Sequence, residues 1–158
     1  MSLREALQHS FDVCHQDENF MEYNAREQFL AFVFTYIQTL EKERAKFIPI
    51  LQSRNNFIIM NSEVKNLSID FSNYANNVID YGKQTGEIID RPFVGRYYEK
   101  TLWLCLLQIL NFWSRDNSNN KEETDVIIEK SVHFTFDLFL PNAIDSGIDY
   151  VQFLIQKR

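Results

Sequence analysis

The sequence predicts an all-α protein that folds as a single-domain helical bundle. The chain has 158 residues, which suffices for one domain with a substantial core. Hydrophobic residues make up 45% of the sequence and aromatic residues 15%, whereas there are only four Gly and three Pro. So few helix-breaking residues favour long helices over strands and turns. The most apolar stretch, residues 102–113 (LWLCLLQILNFW), holds no helix breaker, and we expect it to form a helix buried on all sides.

Composition also limits the class of partner and the compartment. As a helix, residues 102–113 would rise only about 18 Å, whereas a bilayer requires about 20 residues. The net charge is −6 and the basic residues are scattered, so the sequence has no nucleic-acid-binding footprint. Cys14 and Cys105 lie in unrelated contexts, and no signal-peptide pattern precedes them. We therefore expect a cytoplasmic protein that does not contact a membrane.

The first helix is predicted from its N-terminal cap. Ser2 is placed to cap it, with Glu5 three residues on as the partner in a capping box. Apolar residues then recur at helical spacing, and we expect the helix to end near His15. Residues 16–19 are polar and form a connector.

A second helix is predicted to begin after Asn24, with Glu27 at the third helical position. Its apolar face is broad, and we expect the helix to continue to Phe47, where Pro49 forces an end or a kink. The hydrophobic period is unclear over residues 51–61, which we interpret as a loop or a short helix.

The central helices are predicted from turn residues. Ser62 is the expected cap of a third helix, and Gly82 is expected to end it in the left-handed conformation. A turn over residues 83–91 then leads to Pro92, which we expect in the first turn of the helix that contains residues 102–113.

Two helices are predicted in the remainder of the chain. Asn119 is the expected cap of the first, whose opening turn is acidic over residues 122–125, and Pro141 is expected to end it. Asn142 is the expected cap of a short last helix. The apolar surfaces of residues 102–113 and 126–139 are too wide for one neighbour, which favours burial against a second subunit.

The histidines do not form a metal-binding pattern. Glu5 and His9 share a helix face at a spacing of four, as do Glu129 and His133. A zinc site or a di-iron bundle requires further His or Glu ligands at spacings that the sequence does not have. We interpret both pairs as helix-supporting contacts and expect no metal.

The cysteines do not predict a nucleophile. Cys14 and His15 are adjacent, and neighbouring residues of a helix point about 100° apart, so they cannot pair as nucleophile and base. Cys105 lies in the most apolar stretch, where a thiol serves as a small packing residue. We therefore expect no enzyme and no cofactor.

Aromatic and polar groups on the apolar helices are typical of a small-molecule pocket, which combines apolar walls with a few polar groups. The same groups fit a core in which each polar end bonds the backbone. Both interpretations stay open for this set: Tyr36, Tyr74, Tyr81, Trp103, Gln108 and Asn111.

The order of elements resembles the carboxy-terminal effector-binding and dimerisation domain of the tetracycline-repressor (TetR) family of bacterial transcriptional regulators. Residues 4–7 (REAL) are similar to the junction between the DNA-binding head of the family and its regulatory domain. Residues 81–87 (YGKQTGE) resemble the turn between two central helices of that domain. The long helix that ends at Phe112-Trp113 is followed by residues 122–125 (EETD) and 128–131 (IEKS) in the corresponding order.

The resemblance implies that residues 1–158 form one ligand-binding and dimerisation domain without the helix-turn-helix head. DNA would be contacted only through that head. A truncation of the sequence or a genuine loss of the head would explain its absence equally. The domain would form a homodimer and bind an unknown apolar effector among its helices, changing the spacing of the heads.

The resemblance also implies that the helix over residues 102–113 and the next helix pair with their symmetry mates. On that helix, we expect Leu104 and Leu107 to face the bundle and Trp113 to face the partner. A charge at Leu104 or Leu107 should then abolish folding, and a charge at Trp113 should give a soluble monomer. From helix faces, the expected interface residues are Ile109, Phe112, Trp113, Ile127, Phe134 and Leu138. The expected pocket residues are Phe32, Tyr36, Tyr74, Trp103 and Leu107.

Two other functions stay open. One is a stand-alone helical protein that binds lipids or other hydrophobic molecules without binding DNA. The other is a helical-bundle enzyme, which would require a metal or a cofactor.

Overall fold

The computed structural model describes residues 1–53, 61–140 and 143–157, without the side chains of residues 143 and 144. In this part of the chain there are seven α-helices and three short 3₁₀ turns, and no strand, which confirms the all-α prediction. The predictions for residues 54–60, Pro141 and Asn142 lie outside the described residues. The helices are α1 (Leu3–Gln16), α2 (Ala25–Glu41), α3 (Arg44–Gln52), α4 (Ser62–Gln84), α5 (Tyr98–Arg115), α6 (Glu122–Phe139) and α7 (Ala143–Gln156).

The first two helices begin with capping boxes, as predicted. The Ser2 hydroxyl accepts a hydrogen bond from the Glu5 amide at 3.2 Å, and the Glu5 carboxylate accepts one from the Ser2 amide at 2.7 Å. Asn24 and Glu27 make the same reciprocal pair at 2.9 and 3.0 Å. Both boxes satisfy amides that a helix N-terminus leaves without an intrahelical acceptor.

A third partner caps α2 from a distant part of the chain. The two carboxylate oxygens of Glu87, in the turn after α4, accept hydrogen bonds from the amides of Ala25 at 2.7 Å and Arg26 at 2.9 Å. The turn after α4 is therefore attached to the start of α2.

The chain bends earlier than predicted after α2. The helix ends at Glu41 instead of reaching Phe47, and α3 begins at Arg44 with Pro49 in its interior. The Arg44 guanidinium donates to the Asp116 carbonyl at 2.9 Å and lies 5.0 Å from the centre of the Trp113 ring. These contacts with the end of α5 favour the bend over a continuous helix.

The ends of α4 also differ from the prediction. Asn61, not Ser62, is the N-cap, since its side chain accepts a hydrogen bond from the Val64 amide at 2.9 Å. Gly82 lies inside the helix, and it is Gly86 in the following turn that has a positive φ, of 79°. A Cβ at position 82 would lie 2.6 Å from the Ile88 side chain. Close packing therefore explains this glycine, and a left-handed turn does not.

The starts of α5 and α6 lie later than predicted. The α5 helix begins at Tyr98, and Pro92 lies in the preceding turn instead of the first helical turn. Asn119 does not cap α6, which begins at Glu122. The capping contacts come from further back: the Asp116 carboxylate accepts from the Thr124 amide at 3.0 Å.

The core is built from residues of α1 to α6 and is rich in aromatic side chains. On α5 the buried face repeats at helical spacing through Leu102, Leu106, Ile109 and Trp113, all essentially inaccessible to solvent. Leu104 is 57% exposed, so α5 is not buried on all sides. The predicted orientation of α5 is therefore wrong, because Leu104 faces outward and the face assigned to a partner lies in the core of the same chain.

None of the helices in the described ranges is long and apolar enough to cross a membrane.

Candidate functional site

The predicted pocket residues of α2, α4 and α5 lie in one cluster of rings. Phe32 is 5.8 Å from Tyr36 and 4.5 Å from Tyr74, measured between ring centres. Phe71 connects Trp103 to this group, since its ring centre lies 5.5 Å from Trp103 and 6.1 Å from Tyr74. We define the aromatic cluster as Phe11, Phe29, Phe32, Tyr36, Phe71, Tyr74 and Trp103.

Leu107 and Phe11 show that helix faces alone do not identify which residues belong to the aromatic cluster. Leu107 is half-buried on α5 and packs against the hydrophobic core. Phe11, on α1, was not predicted, although its ring centre lies 4.3 Å from Tyr74 and 4.8 Å from Phe32. Its recurrence at helical spacing with the core residues of α1 was the available signal, and that signal does not distinguish a pocket from a core.

The polar ends of the cluster bond the backbone. The Tyr36 hydroxyl donates to the Leu3 carbonyl at 3.1 Å, and the Tyr74 hydroxyl donates to the Gln28 carbonyl at 3.4 Å. Burial raises the pKa of both phenols well above the ordinary value, so both stay neutral at physiological pH. The cluster is therefore an uncharged, aromatic environment.

Access to the cluster is possible only from part of its boundary. Phe32 and Tyr36 have no exposed surface, whereas Phe11, Tyr74 and Trp103 are half-buried. The rings fill the space between the helices, with neighbouring ring centres 4.3–6.5 Å apart. The half-buried rings of Phe11, Tyr74 and Trp103 are therefore the part of the cluster that reaches the surface.

A separate groove lies between α5 and α6 on the outside of the bundle. Its volume is about 380 Å³, and its two most exposed apolar side chains are Leu104 at 57% and Phe134 at 65%. Cys105 lies at its base, where burial raises the pKa of the thiol to about 11 and keeps it protonated. We call this the α5–α6 groove; its lining is Thr101, Leu104, Cys105, Gln108, Lys130, Ser131, Phe134, Thr135 and Leu138.

The predicted interface residues divide into two groups. Ile109 and Trp113 have no exposed surface in the single chain, so they cannot form the face that meets a partner. The Trp113 indole donates to the Glu41 carboxylate at 2.7 Å, which fixes the ring between α2 and α5. Among the others, Phe134 is exposed, and the half-buried residues are Phe112, Ile127 and Leu138.

A polar groove of about 680 Å³ lies at the other end of α5 and includes Asp116 in its lining. Burial opposes ionisation of this carboxyl, but hydrogen bonds from Ser118 and Thr124 outweigh it and hold the pKa of Asp116 well below its ordinary value. The side chain is 4% exposed and caps the start of α6. Asp116 is therefore a structural anion, and its proton affinity is too low for a general acid at neutral pH.

The histidines form neither a metal site nor a nucleophile-base pair in the described part of the chain. Within the described ranges, no group of three or more His, Cys, Asp and Glu side chains lies close enough to hold a metal ion. His133 contacts the Arg26 guanidinium at 3.2 Å. His15 bonds the Phe11 carbonyl at 2.8 Å, and Cys14 bonds the Thr35 hydroxyl at 3.6 Å, so the two neighbours contact different groups.

Comparison with known proteins identifies the family. No curated protein and no solved structure matches the chain. Residues 28–154 match the family described as the tetracyclin repressor-like C-terminal domain. The match extends from the first turns of α2 to the last turn of α7 and so covers most of the chain. The chain therefore belongs to the family of tetracyclin repressor-like C-terminal domains.

Proposed function

We propose that residues 1–158 form the ligand-sensing, dimerising regulatory domain of a TetR-like bacterial transcription regulator. The observation that carries the proposal is the family match over residues 28–154, which includes both the α2–α4 part of the aromatic cluster and the α5–α6 groove. Regulatory domains of this family are not enzymes, and membership implies a role in binding and regulation.

The effector site we propose is the aromatic cluster. Phe32, Tyr36, Tyr74 and Trp103 are its proposed contacts, with Leu107 at its α5 border. The side chains of the cluster are uncharged, and their hydroxyls already bond backbone carbonyls. A charged ligand would lose its hydration there without a compensating partner, so the chemistry favours an uncharged molecule with an aromatic or other apolar ring system.

The dimer face we propose is the exposed side of α5 and α6. Leu104 and Phe134 are large apolar side chains that solvent covers in the single chain. Three further residues on the same two helices are partly exposed to solvent: Phe112, Ile127 and Leu138. A second copy would bury these side chains, as is usual for an extended exposed apolar patch.

The proposal places DNA contact in a head domain separate from these 158 residues and places the regulator in the cytoplasm. The net charge of −6 supports the first point, because an acidic surface is repelled by the phosphate backbone. Effector binding in the cluster would then act on DNA through the relative position of the two subunits.

Sedimentation equilibrium of the full chain tests the dimer. We expect the unsubstituted protein to be a dimer at micromolar concentration and Phe134→Glu to be a folded monomer, because the charge would face an apolar interface. Ile69→Glu is the matched control, since Ile69 is 58% exposed on α4, outside the proposed face. A protein that stays monomeric at high micromolar concentration would contradict the proposed dimer.

Trp103 provides a test of the effector site. N-phenyl-1-naphthylamine, an uncharged aromatic dye, is expected to quench the Trp103 fluorescence and to raise the melting temperature. In Trp103→Phe, which retains Trp113, the dye should still bind but quench far less. Dye binding by a protein that is a monomer would instead support the stand-alone hydrophobe-binding function.

A further inference from the structure

We propose that α7 is exchanged between the two copies of the dimer, so that the apolar side of each α7 packs into the α5–α6 groove of the other copy. This inference rests on the proposed dimer and identifies which element of the second copy covers the groove. It concerns α7, which is absent from the interface residues expected from the sequence.

The apolar surface of α7 is exposed in the single chain. Its polar residues Asp145, Asp149, Gln152 and Gln156 recur at helical spacing and form one narrow stripe. The rest of the circumference is largely apolar. Five large side chains there are 47–67% exposed: Tyr150, Val151, Phe153, Leu154 and Ile155. A soluble protein rarely leaves so continuous an apolar surface without a partner.

A buried arginine holds the first turn of α7. The Arg91 side chain is only 6% exposed and forms an ion pair with Asp145 in the first turn of α7, with one contact of 2.8 Å. The same guanidinium donates to the carbonyls of Leu138 at 2.6 Å and Leu140 at 2.5 Å, and to the Tyr98 hydroxyl at 3.0 Å. The end of α6 and the start of α7 are thus held together, and the apolar side chains further along α7 are exposed.

The α5–α6 groove has the chemistry and length to receive such a helix. Its exposed walls are the apolar side chains of Leu104 and Phe134. The five exposed apolar side chains of α7 lie within residues 150–155, about 8 Å of helix, and the lining of the groove on α6 runs from Lys130 to Leu138, about 12 Å, so this part of α7 fits within the groove.

A second copy fits this surface better than an unrelated partner does, because both complementary surfaces belong to one chain. A two-fold axis gives each groove the α7 of the other copy and closes the assembly at two subunits. The five exposed side chains would bury on the order of 500 Å² from each α7. Two helices and two grooves together therefore exceed the roughly 1,000 Å² that a specific interface requires.

Photo-crosslinking in the full chain tests the exchange directly. Unlabelled Leu154→p-benzoylphenylalanine protein is mixed with unsubstituted ¹⁵N-labelled protein, allowed to exchange subunits and irradiated. Crosslinks are expected to join α7 to peptides from residues 101–108 or 130–138, and pairs of one ¹⁴N and one ¹⁵N peptide are expected among them. Crosslinks found only between two ¹⁴N peptides within one chain would overturn the exchange.

Substitutions in α7 provide a second, independent test. Leu154→Asp is expected to raise the dimer dissociation constant at least tenfold, whereas Gln152→Asp, on the polar stripe, should leave it within a factor of about three. Because both side chains are exposed in the single chain, neither substitution should alter the helical circular dichroism. Equal dissociation constants for a dimer of both variants would overturn the exchange and leave the proposed function intact. An unsubstituted chain that is monomeric would overturn both.

Discussion

Replacement of Trp113 by Ala distinguishes a core residue from an interface residue. Trp113 has no exposed surface, its indole N–H donates to Glu41 at 2.7 Å, and the Arg44 guanidinium lies 5.0 Å from its ring centre. Truncation would leave a cavity between α2, α3 and α5 and would remove both polar contacts. The side chain is thus integrated into one protomer and not shared between two.

The expected loss of stability follows from that environment. Removing a buried Trp costs about 3–5 kcal/mol in lost contacts and cavity formation, and we expect about 4 kcal/mol here. For a domain of this size, each kcal/mol lowers the melting temperature by about 2–4 °C, so Trp113→Ala should melt about 12 °C below the unsubstituted protein.

Urea unfolding and thermal melts at one fixed protomer concentration measure this loss, because association would otherwise change the apparent stability. Ile69→Ala is the control and should change the unfolding free energy by at most about 0.5 kcal/mol, since Ile69 is exposed. For the same reason Trp113→Glu should fail to fold instead of giving the soluble monomer expected from the sequence. A Trp113→Ala protein that melted within about 2 °C of the original but became monomeric would refute this reasoning.

Three further substitutions test single contacts. Gly82→Ala should lower the unfolding free energy in urea by about 1–2 kcal/mol, because overpacking against Ile88 exceeds the gain in helix propensity; Ile88→Val should relieve part of this loss. Arg91→Lys should cost about 2 kcal/mol in the same assay, since an ammonium cannot make the several directed bonds of the guanidinium; unchanged stability would contradict the role of Arg91. Asp116→Asn should cost about 2 kcal/mol at pH 7, because an amide NH₂ would meet the Thr124 donors. The pKa of Asp116 is lowered in the folded protein, so the carboxylate stabilises the fold above about pH 4, and this stabilisation is lost as the pH falls further. The difference in unfolding free energy between Asp116→Asn and the original protein should therefore shrink at low pH. A difference that does not change with pH would contradict the assignment.

Local signals in the sequence were sufficient for the starts of α1 and α2. Each capping box needs only residues three apart, so the geometry is encoded within one turn of helix. The start of α6 could not be derived in this way. Asp116 reaches Thr124 across a turn in which Asn120 and Lys121 both have positive φ, and no glycine marks those positions in the sequence.

The orientation of α5 illustrates a second limit. Nearly every residue from 102 to 113 is apolar, so the sequence contains too little polar contrast to show which side faces the core. Packing of α5 against α3, α4 and α6 decides that Trp113 is buried and Leu104 exposed. Prediction of the fold class does not depend on this choice, whereas prediction of the interface does.

The candidate site was predictable in part. Phe32, Tyr36 and Tyr74 are predicted from helix faces and lie side by side in the structure, because periodicity identifies the inward side of a helix. Phe71, which connects them to Trp103, is not among the predicted pocket residues. Only three-dimensional packing shows which of many inward rings are neighbours.

The attachment of Glu87 to the start of α2 has a consequence for the order of folding. The capping box of Asn24 and Glu27 is available to an isolated segment, but the Glu87 carboxylate reaches the amides of Ala25 and Arg26 only after α4 and its following turn have docked. Those two amides should therefore gain protection from hydrogen exchange later than the amides in the middle of α2. The time at which these two amides become protected therefore measures when α4 and its following turn dock onto α2 during folding.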